Sequence, residues 1–169
     1  MDVNILHVGC GNSPLPEDMY DFGYTKIVNV DNSAVCIKQM AERNVGRPGL
    51  QWLEMDATRM SFPDESYDVA IDKSVLDTFA CGDSASQVIE KYLGEIQRVL
   101  RPRGVCLVIS YGAPNSRMEY LETERLNWSC KQVRLTPKDE HATVHYVYVL
   151  RKFVDADAEI LAAEAAAAY

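Results

Sequence analysis

Apolar and polar positions along this chain fall into short runs whose period changes, and the changes mark out alternating strands and helices. Residues 4–8 form a buried-strand run that ends in Gly9-Cys10-Gly11-Asn12-Ser13. Leu15, Met19 and Phe22 then recur at helical spacing, with Gly23 placed to cap the C-terminus. A second strand covers 26–30, and Asp31-Asn32-Ser33 offers short polar side chains to cap a helix carrying Ile37, Met40 and Ala41. Residues 51–55 and 67–72 read as two more strands, separated by a polar turn around Pro63-Asp64. The clearest helix is predicted over 84–100, where Ile89, Tyr92, Leu93, Ile96 and Val99 lie on one apolar stripe that Pro102 and Gly104 bring to an end.

After a fully apolar strand at 105–110, the alternation stops. A Gly-Pro loop leads to a short amphipathic stretch near Met118 and Leu121, and two final strands, 128–135 and 144–150, are joined by a polar turn at 136–140. Repeated strand–helix units require right-handed crossovers and a mostly parallel sheet, to which a terminal hairpin adds an antiparallel strand. The expected fold is therefore α/β: a Rossmann-like, doubly wound, mostly parallel seven-stranded sheet with a C-terminal antiparallel hairpin. One domain over 1–153 accounts for it, and 154–169 is an alanine-rich tail with good helix propensity but little apolar bulk.

Length and composition agree with a single core: 169 residues, 47% of them hydrophobic. Charge narrows the partners. With 25 acidic against 17 basic residues and a net charge of -8, nucleic-acid backbone binding is not expected, and a basic protein partner is. The five cysteines form no C-x-x-C pair, which suits reduced thiols in the cytoplasm. No signal peptide or membrane-length apolar run is apparent. His7, His141 and His145 lack ligand spacing, so no metal is expected, and Tyr20, Tyr24, Tyr146 and Tyr148 read as packing residues.

Chemistry is signalled at the strand ends. Gly9 and Gly11 let a ligand approach the backbone, and the helix that follows is expected to offer unpaired N–H groups. Asp31 follows Gly11 by 20 residues at the tip of the second strand, where a carboxylate can accept both hydroxyls of a ribose. A dinucleotide does not suit the pattern, because Pro14 stands where its fingerprint needs a third glycine; the ligand is expected to carry no phosphate. Asp56 and Ala57, after the third strand, suit the amino group and ring nitrogen of adenine. Asp72-Lys73-Ser74, with Asp77 close behind, places charge at the tip of the fourth strand, facing the crevice of an open α/β sheet.

Together the segments from Val8 to Ser13, Val30 to Ser33, Met55 to Ala57 and Asp72 to Asp77 resemble the class I methyltransferases. More narrowly the chain resembles the eukaryotic methyltransferase-like group that methylates lysines of translation elongation factor 1-alpha, over about residues 5–110. That resemblance implies S-adenosyl-L-methionine as cofactor, with contacts to its methionine part at Gly9 and Gly11, to the ribose at Asp31 and to the adenine at Asp56 and Ala57; Cys10, Asn12, Asn32, Asp72 and Lys73 are expected to bind the cofactor alongside them. Asp72 and Asp77 are expected to orient the incoming amine, and Lys73 to contact the cofactor or an acidic substrate group. Small-molecule methylation, and a catalytically weak binding subunit that keeps the fold, remain the rival readings. The chain departs from the group's pattern at Ser74-Val75, where Gly-Thr is usual, and at Arg103, which replaces a glycine. The group also carries a segment ahead of the first strand, whereas here that strand starts almost at Met1; either a partner or nothing is expected to cover that side.

Overall fold

The fold was read from a computed structural model, which describes residues 1–82, 84–137 and 143–154. Five parallel strands come first in the sheet: β1 (Ile5–Val8), β2 (Ile27–Asp31), β3 (Leu50–Glu54), β4 (Tyr67–Lys73) and β5 (Leu100–Ser110). Two more, β6 (Trp128–Leu135) and β7 (His145–Lys152), close it in the order β3-β2-β1-β4-β5-β7-β6. β7 runs antiparallel to β5 and β6 antiparallel to β7, which is the hairpin expected from the sequence. Among the described residues the α-helices are α1 (Leu15–Asp21), α2 (Ala34–Arg43), α3 (Val75–Ala80), α4 (Ala85–Val99) and α5 (Met118–Leu121). Residues 138–140 of the expected turn, His141, and the tail from 155 onward lie outside the described residues.

Alternation along each buried strand sends neighbouring side chains to opposite faces, so the sheet has two cores. Ile5, Ile27, Leu50 and Ile71 pack with Leu15, Met19 and Tyr20 of α1 on one face. Leu6, Val8, Ala70 and Val108 meet the stripe of α4 on the other. Ile89, Tyr92, Leu93, Ile96 and Val99 are all buried there, each contributing about 1.5–3 kcal/mol. Tyr148 is buried beside them, its ring stacked on that of Tyr146 and its hydroxyl donating to the Gly112 carbonyl at 2.7 Å.

The structure departs from the sequence expectation in two places. α3 follows β4 directly, where only a charged strand end was expected. β5 begins at Leu100, so Pro102 lies within a strand, and its pairing with β4 slips between Tyr67 and Val69. Arg103 sits in that irregular stretch at φ 65°, and Ser74 precedes α3 at φ 71°. Both are positions where the resembled group carries glycine, and left-handed backbone explains why: a Cβ is disfavoured there and a hydrogen is not. Ser74→Gly is therefore expected to raise stability by about 0.5–1 kcal/mol, a gain of ~1–4 °C in melting temperature, read by thermal unfolding. Its hydroxyl makes no hydrogen bond among the described residues, so nothing offsets the gain.

Candidate functional site

Register places the site. Val8 stands beside Asp72 and Val30 on its two neighbouring strands, so the loops after β1, β2 and β4 leave the sheet at one level on its carboxyl edge. Lys73 is likewise paired with Ile109 of β5. Parallel strands twisted this way open a crevice just beyond these tips.

The glycine loop is the tightest part. Gly9 and Gly11 have φ of 57° and 50°, and a Cβ on Gly9 would lie 2.2 Å from Val75 Cγ2 of α3. A Cβ on Gly11 would meet nothing within 4 Å, so its backbone faces open space. The Gly11 N–H donates to Asp31 Oδ2 at 2.9 Å, and the Ser33 N–H donates to Oδ1 at 2.9 Å. Ser33 in turn caps α2 by accepting from the Cys36 N–H at 3.3 Å. One carboxylate thus ties together the tip of β2, the loop after β1 and the start of α2.

The expectation that the first helix would present unpaired N–H groups is corrected. Pro16 has none to offer, the Leu15 N–H donates to Ser13 Oγ at 3.3 Å, and the Ser13 N–H donates to the Cys10 carbonyl at 3.2 Å. The Glu17 and Asp18 N–H groups donate to the Pro14 carbonyl, so the first turn of α1 is bonded within itself and to the loop.

A cavity of about 340 Å³ opens beyond the strand tips. It brings together Gly9, Asp31, Asn32, Asp56, Ala57 and Lys73, all named from the sequence. Sequence reasoning missed the wall that α3 supplies through Val75, Thr78 and Phe79, although the spacing of Leu76, Phe79 and Ala80 carries a helical signal. Asp56 Oδ1 accepts from both the N–H and the hydroxyl of Thr58 at 2.8 Å, and these bonds hold its carboxyl below the usual range. A second cavity, lined by the 9–15 loop, Asp18, Lys73 and Ile109, adjoins the first and shares Gly9 and Lys73 with it. Cys10 and Asn12 face this second space; burial pushes the Cys10 thiol up to about 12, so it stays a neutral small group.

Asp72 and Asp77 are not brought to either cavity, and the expectation that they orient an amine is corrected. Asp72 is 1% exposed. It accepts from the Val75 N–H at 2.8 Å, the Leu76 N–H at 3.0 Å and the Tyr92 hydroxyl at 2.8 Å, which pins α3 and α4 to the sheet edge. Burial pushes its carboxyl up to about 6 against those three bonds, and pushes the Tyr92 phenol well above its ordinary value. Asp77 is 2% exposed and pairs with Arg117, whose Nε and Nη2 lie 3.1 and 3.0 Å from its Oδ1. The Ser110 hydroxyl and the Tyr111 N–H also donate to it. Sequence reasoning missed Arg117 altogether.

The residues present fit an adenosyl ligand. The cavity falls in the size range of small-molecule sites, a glycine backbone admits close approach, and Asp31 presents an anchored carboxylate. Fold and site together define the class I, Rossmann-like proteins that bind S-adenosylmethionine. Residues 6–108 match the methyltransferase domain family. The chain belongs to that family, and S-adenosylmethionine is its cofactor.

Similar proteins sharpen the picture. The eEF1A lysine and N-terminal methyltransferase of Bos taurus is 48% identical over 109 residues, which is 63% of this chain and 16% of that protein. EEF1A lysine methyltransferase 4 of Mus musculus is 30% identical over 135 residues, 75% of this chain and 53% of that protein. The match thus spans a small part of the first relative's length and about half of the second's. Among solved structures, the N-methyltransferase NodS of Bradyrhizobium japonicum in complex with S-adenosyl-L-homocysteine superposes with a TM-score of 0.70 at 15% identity. That match covers 89% of this chain and 78% of NodS, and it speaks for the fold.

Proposed function

We propose that this chain methylates a lysine of a basic protein, of the elongation factor 1-alpha kind. The observation that carries the methyl-donor half of this reading is Asp31, held by the Gly11 and Ser33 N–H groups with its carboxylate turned to the cavity. The acceptor half is supported by the names of the relatives and by the net charge of -8, since an acidic surface speeds encounter with a basic one.

S-adenosylmethionine, when bound, supplies an electrophilic methyl on a sulfonium. The protein's share of such a displacement is alignment and exclusion of water. Gly9 leaves room for close approach, Asp31 orients by the ribose, and α3 roofs the cavity through Val75 and Phe79. A lysine amine has a reference pKa of about 10.4 and must shed its proton before attack; desolvation on entering a walled crevice favours that loss.

Incubation with radiolabelled S-adenosylmethionine and purified elongation factor 1-alpha tests the proposal. Label on the factor, lost when the modified lysine is changed to arginine, is the expected result. Label extracted into solvent from a lysate, with none on protein, would overturn the protein-substrate reading, and no calorimetric response to S-adenosylhomocysteine would overturn the enzyme reading.

A further inference from the structure

We infer that the acidic, alanine-rich segment 155–169 docks within its own chain on the open half of the sheet, its carboxylates on Lys131 and Arg151 and its Ile160 and Leu161 on the apolar side chains of β5, β7 and β6.

The two faces of the sheet differ at this end. On the α4 side, Val108, Tyr148, Leu150 and Trp128 are buried in the main core. Their alternating neighbours, Val105, Leu107, Val147, Val149, Val133 and Leu135, share the opposite face. Among the described residues none of these six belongs to either core, and Val133 and Leu135 are 51% and 45% exposed. The cluster beneath α1 reaches across this face only as far as Val69 and Ile109. Strands that carry apolar side chains on both faces are suited to cover on both, so this half of the face calls for a partner. None of the six lines either cavity beside the glycine loop.

Register and charge say what that partner carries. Val105 stands beside Arg151, then Leu107 beside Val149 and Lys131, then Ile109 beside Val147 and Val133. From the end of β7 the face therefore reads basic first and apolar after. Arg151 and Lys131 are exposed, and neither joins an ion pair with another described residue. A second copy of the same face would set these cations against each other. The chain beyond β7 runs in the matching order: Asp155, Asp157 and Glu159 come first, Ile160 and Leu161 next, and alanine fills most of 162–168, with no Lys or Arg throughout. β7 ends at Lys152, one residue past Arg151, so the segment sets out from the basic end. Wound as a helix, 155–169 would reach about 22 Å. The face from the Arg151 row to the His145 row is about 20 Å long. Alanine adds little bulk, which lets a helix lie close on a valine-rich surface.

Carbodiimide, which condenses a lysine amine with a carboxylate in contact with it, tests the interface on the unaltered chain. Mass spectrometry is expected to find an amide between Lys131 and Asp155, Asp157 or Glu159. In an equal mixture of ¹⁴N- and ¹⁵N-labelled protein, the link is expected within single chains. Leu161→Asp is expected to cut its yield about fivefold or more and to raise binding of an apolar fluorescent dye, since the buried leucine is lost from the interface. Absence of any link to Lys131 would overturn the inference. Links found only between chains would also overturn it and give the face to a second copy. A yield that Leu161→Asp leaves unchanged would do the same, because charge alone would then bring the segment near Lys131 without docking.

Discussion

Arg117→Ala is expected to lower the melting temperature by roughly 10 °C, a loss of about 3–5 kcal/mol. Arg117 is 7% exposed, and its guanidinium donates to Asp77 through two nitrogens, to the Ser116 carbonyl at 2.9 Å and to Ser110 Oγ at 3.3 Å. It also lies 5.8 Å from the centre of the Tyr111 ring and against Gly112, where a Cβ would come within 2.3 Å of its Nε. Truncation leaves the Asp77 carboxylate buried with its cation gone, and an uncompensated buried charge is what makes breaking such a pair expensive. Replacing both partners together, as Asp77→Leu with Arg117→Met, is expected to recover much of the loss, because the desolvation penalty disappears along with the attraction. Thermal unfolding of the two single variants and the pair reads the coupling directly. A change of under about 2 °C in Arg117→Ala would show that the pair contributes little to holding the 110–117 segment against α3.

That pair also explains what was and was not legible in the sequence. Strands announced themselves because each is a short apolar run with turn residues at both ends, and β1, β2 and β6 fall within a residue or so of their expected limits. α4 was equally plain, since fifteen residues carry a full stripe. α3 was hidden: six residues give less than two turns of periodicity, and Asp77 in its middle reads as polar when its partner is unknown. The early start of β5 was hidden by Pro102, ordinarily a strand breaker, which is tolerated here in the irregular stretch before regular pairing with β4 resumes at Val105.

The site divides along the same line. Gly9, Gly11 and Asp31 could be read because backbone conformation and strand-tip position make local demands that a sequence displays. Asp72 and Asp77 were expected at the crevice because charge at a strand end usually faces water or ligand. Their actual partners, Tyr92 and Arg117, stand 20 and 40 residues away, and no local pattern records a partner at that distance. The same two carboxylates, once satisfied, are what fix α3 over the cavity, so residues expected to act on the substrate act on the frame.

Asp31→Ala is expected to weaken S-adenosylhomocysteine binding by about 100-fold or more, the largest loss of affinity from any one side chain in the cavity. Each carboxylate oxygen has about two acceptor positions, and the structure uses one on each, for Gly11 and for Ser33, leaving a matched pair for vicinal hydroxyls. Bonds to an ionised acceptor are stronger than neutral ones, and losing two of them is enough for the expected change. A second effect adds to it: without Oδ2 the Gly11 N–H loses its anchor, and a loop held at φ 50° and 57° has less reason to keep that shape. Asp31→Asn halves both contributions, because the amide oxygen keeps one backbone N–H and one ligand hydroxyl while the NH2 in place of the other oxygen can accept from neither; about a tenfold loss is expected. Calorimetric titration reads both, with circular dichroism to show that the sheet is intact. Should Asp31→Ala bind within about threefold of the parent, the ribose lies elsewhere, and the carboxylate serves only to tie the glycine loop to α2.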